Sequence, residues 1–150
     1  MSDPTAADVN DAVIAEFRAR GGVVGGPLTG VNVLLLHHVG ARSGAPRVTP
    51  LVYQQYGEAM VVFASAYGAL ADPAWFGNLL AQPAALVEVG TATVPVRARV
   101  VHGDERDLLW TRQKAAMPNF AEYERLTSRT IPVVALHPRA DPAPLPAPST

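Results

Sequence analysis

The residues best suited to chemistry gather in one turn, "HHVGARSGAPRVTPL", residues 37–51. Arg42 and Arg47 bracket Ser43-Gly44-Ala45-Pro46. Gly40 and Gly44 permit positive φ, which would let successive backbone N–H groups line a concavity. A guanidinium grips phosphate in a fixed, often bidentate fork, and the Ser43 hydroxyl adds a donor. The chemistry on offer is therefore the holding of an anion. Glycine, proline and solvated arginine are equally the ordinary material of a turn, so the turn alone leaves both readings open.

Two further stretches carry candidate residues. In "ASAYGALADPAWFGNLLAQP", Ser65, Tyr67 and Gly68 follow an apolar run. A planar ring could approach that loop through its backbone N–H groups. Trp75 and Phe76 come next, and Asn78 needs a partner if it is buried. In "NFAEYERLTSRTIP", Phe120, Tyr123 and Leu126 fall at a spacing of three, a core stripe in which Tyr123 alone has a hydroxyl to donate.

Other chemistries find little support. The four histidines are His37, His38, His102 and His137, without metal-ligand spacing. His37 and His38 are adjacent on a strand and point to opposite faces, which reads as two rim histidines. There is no cysteine, no G-x-S-x-G elbow and no evident acid–base carboxylate pair. A reaction carried out here would rest on a cofactor.

The elements that must position these residues follow from punctuation and periodicity. Residues 3–20 read as an amphipathic helix, begun by Asp3–Pro4 and stopped by Gly21–Gly22. Strands are expected over 31–38, 47–55 and 59–64, as a meander, with Pro50 marking an edge, bulge or bend. Asp72 and Pro73 open a helix that Pro83 closes. Strands at 85–89 and 93–101 flank a Gly90 turn; helices at 104–116 and 119–126 and a strand at 131–137 complete the order. About six mostly antiparallel strands with inserted helices make an α+β fold, a small barrel.

The chain has 150 residues, 49% apolar and 17% charged, with a net charge of −1. That suits one soluble domain and supplies no basic footprint for nucleic acid. The organisation expected is an N-terminal helix (1–22), a barrel (23–137) and a tail (138–150) whose five prolines leave little to bury. No secretory or membrane-spanning pattern is evident, so a cytoplasmic protein is expected, with peripheral membrane contact left open.

Taken in order, four motifs resemble the deazaflavin-dependent nitroreductase family of actinobacterial oxidoreductases. They are "G-x-[KR]-S-G-x-P-R" at 40–47, "S-x-x-G" at 65–68, "D-P-A-W-F-x-N-L-x-A-x-P" at 72–83 and "R-T-I-P-V" at 129–133. The resemblance spans roughly residues 10 to 138. It implies a split β-barrel similar to FMN-binding barrels, and use of the deazaflavin coenzyme F-420 to reduce small hydrophobic quinones, enones or nitro compounds. By position, Arg42, Ser43, Gly44 and Arg47 match the grip on the coenzyme's phosphate and anionic tail. Thr49, Pro50 and Leu51 would run along its ring system. Ser65, Ala66, Tyr67 and Gly68 would face the deazaflavin, with Trp75 and Asn78 in support. Tyr123 matches a substrate-side tyrosine and is the catalytic candidate.

The sequence departs from the family pattern at Ala41, where a second cation is common, and at Ala66, where many members have lysine. It departs again at Phe120 and Leu126, where some have tyrosine. These imply a thinner phosphate grip and a more apolar substrate pocket. The competing readings are an F-420-binding or sequestering protein with little turnover, and a barrel using FMN or haem. A monomer or a homodimer fits equally.

Overall fold

The computed structural model describes residues 6–28 and 30–139; the expected helix start at Asp3–Pro4 and all of the tail from residue 140 lie outside them. Helix α1 (Ala6–Ala19) leads into strand β1 (Val33–Val39). Then come β2 (Pro46–Val52), β3 (Gln54–Tyr56), β4 (Ala59–Phe63), helix α2 (Ala74–Ala81), β5 (Ala84–Val89) and β6 (Ala92–Val101). Helices α3 (Gly103–Ala116) and α4 (Asn119–Leu126) and strand β7 (Val133–Pro138) complete the order. None of the described helices is long and apolar enough to cross a membrane.

Among the described residues seven strands form one antiparallel sheet in the order β2-β1-β5-β6-β7-β4-β3. The meander expected from 31–64 is therefore not what forms. Segment 47–55 divides at Tyr53: its first part pairs with β1 up to Val33 opposite Val52, and its second pairs with β4 from Gln54 opposite Val61. The Tyr53 N–H donates to the Asn32 carbonyl at 3.0 Å and fixes the division. One extended stretch thus supplies both edges of the sheet. That is possible only if the sheet curls until its edges meet, which makes an α+β split barrel. Pro50 lies on edge strand β2, where a missing N–H costs no ladder bond.

Alternation along the strands explains three separate apolar clusters. Leu34 and Leu36 point into the barrel with Met60, Val62, Val87, Val96, Val134 and Leu136. Val61, Phe63, Val133 and Ala135 point outward beneath Leu109 and Trp110 of α3 and Phe120 of α4. Val33 and Leu35 face out on another side, where Phe17 of α1 and Val24 cover them. The aromatic rings set the angle of α4: Phe120 packs 5.9 Å from Phe63 and 6.2 Å from Trp110, while the Trp110 indole N–H donates to Glu124. Leu126 is 57% exposed, outside the core stripe expected of it: it is the last residue of α4 and lies against Gly68 of the 64–72 loop, not in the outer cluster with Phe120.

Asp72 also differs from expectation. Helix α2 begins after Pro73 with no side-chain cap, and the Asp72 carboxylate accepts instead from Arg129 at 2.8 Å.

The end of α1 is held by a close approach of two glycines. Gly22 has φ +96°, and a Cβ there would lie 2.5 Å from Gly90 Cα in the β5–β6 turn. At Gly21 (φ +64°) a Cβ would meet only Thr91 Cγ2 at 3.4 Å. Gly21→Ala should cost about 1 kcal/mol from its left-handed backbone. Gly22→Ala should cost about 3 kcal/mol or more, because backbone must move. Chemical denaturation of both variants checks this; equal stabilities would contradict the account.

Candidate active site

A cavity of about 1240 Å³ opens along β2. Arg47, Thr49, Pro50 and Leu51 supply one wall, Ser65 and Ala66 a second, and Pro73, Ala74 and Trp75 a third. Phe120, Tyr123 and Asn119 of α4 face them, and α1 contributes Asn10, Val13 and Glu16 at the far side. Nine of the residues predicted from sequence are therefore divided as follows. Arg47, Thr49, Pro50, Leu51, Ser65, Ala66, Trp75 and Tyr123 line this one space, while Asn78 stands behind its wall. Arg42, Ser43 and Gly44 lie on the exposed turn beyond Arg47 and are not cavity walls.

The turn is more self-contained than its glycines suggested. Only Gly44 has positive φ, +68°. The amides of Gly40, Ala41, Gly44 and Ala45 donate, respectively, to Ala45 O, Asn78 Oδ1, Gly40 O and Ser43 Oγ, at 2.9–3.1 Å. These four amides are thus engaged within the protein and are not offered to an anion. Gly40 has its own reason to lack a side chain: a Cβ would stand 2.6 Å from Ser43 Oγ and 3.6 Å from Arg47 Nε. The hydroxyl and the guanidinium therefore converge on the space in front of Gly40.

The loop from residue 64 to 72 carries the second wall. Ser65 is buried, and Ala66, beside it on the cavity wall, takes φ +46°, a left-handed conformation that costs an alanine roughly 1 kcal/mol. Gly68 at φ +82° lets the loop touch α4: a Cβ there would stand 2.8 Å from Leu126 Cβ and 3.0 Å from Tyr123 O. Tyr67 lies in the short 3-10 turn Ala66–Gly68; its side chain is outside what the structure describes. On α4 the Tyr123 hydroxyl accepts from Asn119 Nδ2 at 2.9 Å, and its ring stacks edge-on 5.3 Å from Phe120.

Two residues at the site carry roles the sequence did not disclose. Arg129 was legible only as part of a motif. Its guanidinium spans the 64–72 loop, donating to Ala64 O, Ser65 O, Ala69 O and Asp72 Oδ1 at 2.8–3.0 Å. His38, expected at the rim, is instead 6% exposed on a cavity wall. Strand alternation holds the signal: His38 shares its face with Leu34 and Leu36, the barrel interior. Burial, with Arg47 and His37 nearby, depresses its pKa from 6.5 to about 4, so it is neutral at pH 7. His37, on the outer face, pairs with Glu88 at 2.6 Å, and Arg18 reaches the same carboxylate from α1 at 2.7 Å. That contact, foremost the Arg18 hydrogen bond, lowers the Glu88 pKa. Among the described residues no three histidine, aspartate or glutamate groups are placed to hold a metal ion.

The match to known proteins follows the same residues. A family model described as F420H(2)-dependent quinone reductase matches residues 11–138. A Mycobacterium tuberculosis relative, Rv3178, is 39% identical over 109 residues, covering 73% of this chain and 92% of its own. Another from that organism, the F420H(2)-dependent quinone reductase Rv1261c, is 35% identical over 132 residues, covering 85% and 87%. Among solved structures, one titled F420-H2 Dependent Reductase (FDR-A) is 33% identical with a TM-score of 0.65, covering 71% of this chain and 94% of that one. A second, described as a domain-swapped dimer, is 30% identical with a TM-score of 0.67, covering 85% and 93%. With the barrel, the ordered motifs and one cavity gathering most of their residues, the chain belongs to the F420H(2)-dependent quinone reductase family, enzymes that draw their reducing power from the deazaflavin coenzyme F-420.

Proposed function

We propose that this chain is a cytoplasmic reductase that passes a hydride from reduced coenzyme F-420 to a small hydrophobic, electron-poor acceptor, with quinones the best-supported class and enones or nitro compounds next. The observation that carries the reading is the cavity itself. Residues matched to coenzyme binding (Arg47, Thr49, Pro50, Leu51, Ser65, Ala66, Trp75) and to the substrate side (Tyr123) face one space. At about 1240 Å³ it exceeds the usual volume for one drug-sized ligand, which suits a ring system beside an acceptor.

The residues present fit the coenzyme. Ser43 Oγ and Arg47 converge in front of Gly40, with Arg42 beside them, so that the phosphate and anionic tail find cations at the cavity mouth while the ring meets neutral walls. Gly44 supplies the left-handed turn that holds this grip together. Bound reduced F-420 would supply two electrons and a proton together as hydride, its ring carbon at the flavin N5 position disfavouring radical transfer. The protein's part is position and electrostatics. Pro50, Leu51 and Trp75 would hold the ring, with Ser65 and Ala66 beside it on the loop wall. Fixed proximity of donor and acceptor supplies several kcal/mol of the barrier. Tyr123, oriented by Asn119, offers a hydroxyl to the acceptor oxygen where negative charge grows. The apolar faces of Phe120 and Met117 exclude water beside it.

Titration with oxidised F-420 tests the reading, by fluorescence or absorbance. Saturable binding at micromolar concentration is expected; its absence overturns the proposal. Arg42→Ala and Arg47→Ala should each weaken binding about tenfold, more at low salt than at high, because each removes a charge-assisted contact. Oxidation of the reduced coenzyme in the presence of menadione, above the protein-free rate, separates a reductase from a sequestering protein. Preference for FMN in direct competition would favour a flavin barrel instead.

A further inference from the structure

One chain of hydrogen bonds behind the cavity wall has every donor and acceptor determined. It starts at a backbone amide, Ala41 N–H, which can only donate, and it donates to Asn78 at 2.9 Å. The receiving atom is therefore Oδ1, which fixes the orientation of the Asn78 amide. Its Nδ2 must then donate to His38 Nδ1 at 3.0 Å. A neutral imidazole that accepts at Nδ1 carries its hydrogen on Nε2. Nε2–H lies 2.9 Å from Thr49 Oγ1, which must accept. Thr49 has one hydroxyl hydrogen left to give, and it lies on the cavity wall.

We propose that Asn78 and His38 form a polarity relay that makes Thr49 a dedicated hydrogen-bond donor into the cavity, so that the site selects a ring ligand presenting an acceptor atom there, a carbonyl oxygen or an unprotonated ring nitrogen. Asn78 and His38 are positioning residues, and Thr49 is the ligand contact. The proposal rests on the coenzyme reading for the identity of the ligand, but the relay's polarity is a property of the protein alone. Both relay side chains are over nine-tenths buried, His38 at 6% and Asn78 at 7% exposure, so water does not replace either bond cheaply. The relay also ties the exposed turn to the ring wall. The amide that begins it belongs to Ala41, between Gly40 and Arg42, so the same asparagine holds the anion-gripping turn and sets the hydroxyl.

The arrangement excludes the opposite polarity. If Thr49 donated to Nε2, the imidazole hydrogen would sit on Nδ1, facing the Asn78 N–H₂ group donor to donor. Turning the Asn78 amide to relieve that would face its N–H₂ against Ala41 N–H. Every alternative strands a buried donor, which costs more than a neutral hydrogen bond gains.

Two measurements test the proposal. The first is the ¹⁵N spectrum of histidine-labelled full-length protein without coenzyme. Neutral His38 is expected with its hydrogen on Nε2 in the native chain, and with hydrogen on Nδ1 in Asn78→Asp, whose carboxylate can only accept. Finding Nδ1–H in the native chain, or no change in Asn78→Asp, overturns the relay. The second is binding of oxidised F-420. Thr49→Val, of equal shape, should bind about tenfold more weakly, the loss of one hydrogen bond, whereas Thr49→Ser should stay within about twofold. Equal binding by Thr49→Val and the native chain, with both folded, overturns the donor role and leaves the coenzyme reading intact. If the native chain binds no F-420, the coenzyme reading fails, and the histidine spectrum still decides the relay.

Discussion

Arg129→Met is expected to remove about 3 kcal/mol of stability and to abolish measurable F-420 binding, although the side chain holds the Ser65 wall from behind and does not itself line the cavity. The guanidinium satisfies the carbonyls of Ala64, Ser65 and Ala69 and the carboxylate of Asp72. It is 14% exposed, and Ala64 and Ser65 are buried, so solvent is a poor substitute at two of those four acceptors. Stranding buried acceptors costs about 1–3 kcal/mol each, and partial access of water to Ala69 and Asp72 moderates the sum. Lysine should recover only part of the loss, because a single ammonium cannot reach acceptors spread around a planar fork.

The damage should be local before it is global. Inside the loop, Gly68 N–H donates to Ser65 O and Ala69 N–H to Ala66 O. Their amide hydrogen exchange should accelerate about a hundredfold in the variant, while amides of β6 and β7 change only with global stability. Ala66, held at φ +46°, is the first residue to relax when its anchor goes. A variant that exchanges and binds like the native chain would contradict this account.

How much of this was legible in the sequence depends on the range of each interaction. Helix ends and strand cores were legible, because prolines, glycines and apolar alternation act within a few residues. Helix α4 is found over Asn119–Leu126, where it was expected, and β1, β4 and β5 differ from expectation by one or two residues. The division at Tyr53 was not legible: residues 47–55 read as one strand because nothing local says that β2 and β3 pair with different neighbours. Only closure of the sheet decides that. Asp72 followed by proline reads as a helix cap, but the long-range partner Arg129 takes the carboxylate. The turn's arginines were legible as cations. Four of its amides, however, looked available until the fold turned one toward Asn78 and three upon the turn itself.

His38 shows the same limit in its sharpest form. Adjacent histidines on a strand are distinguishable by face, and the sequence does not say which face is the interior. Outward, His37 meets Glu88 and Arg18 and helps fasten α1; inward, His38 meets Asn78 and Thr49. One residue of register separates a surface ion pair from a buried relay.

That burial carries a stability cost in acid which belongs to His38 alone. In the unfolded chain its imidazole takes up a proton near pH 6.5; in the fold it does so only near pH 4, chiefly because burial disfavours the cation, with Arg47 and His37 adding repulsion. Between those values the unfolded state binds more protons, so stability rises with pH across the window and falls as acid is added. At about 1.4 kcal/mol per pH unit, acidifying from pH 7 to 4.5 should remove about 2.5 kcal/mol. The carboxylates of Glu88, Glu105 and Glu124, whose pKa values are lowered from 4.5 by their cationic and hydrogen-bonding partners, lose their contributions mainly as the pH falls below about 4.5. Urea denaturation of the native chain and His38→Gln at pH 7, 6, 5 and 4.5 isolates the effect, because the other histidines cancel in the difference. The native chain should lose about 2.5 kcal/mol more than the variant; parallel profiles would show that His38 titrates freely and is not the buried neutral link described here. The depressed pKa has a second consequence. Protonation would put a hydrogen on Nδ1 against the Asn78 N–H₂ group, so the neutral relay and the acid sensitivity share one cause, and Thr49 keeps its polarity throughout the neutral range.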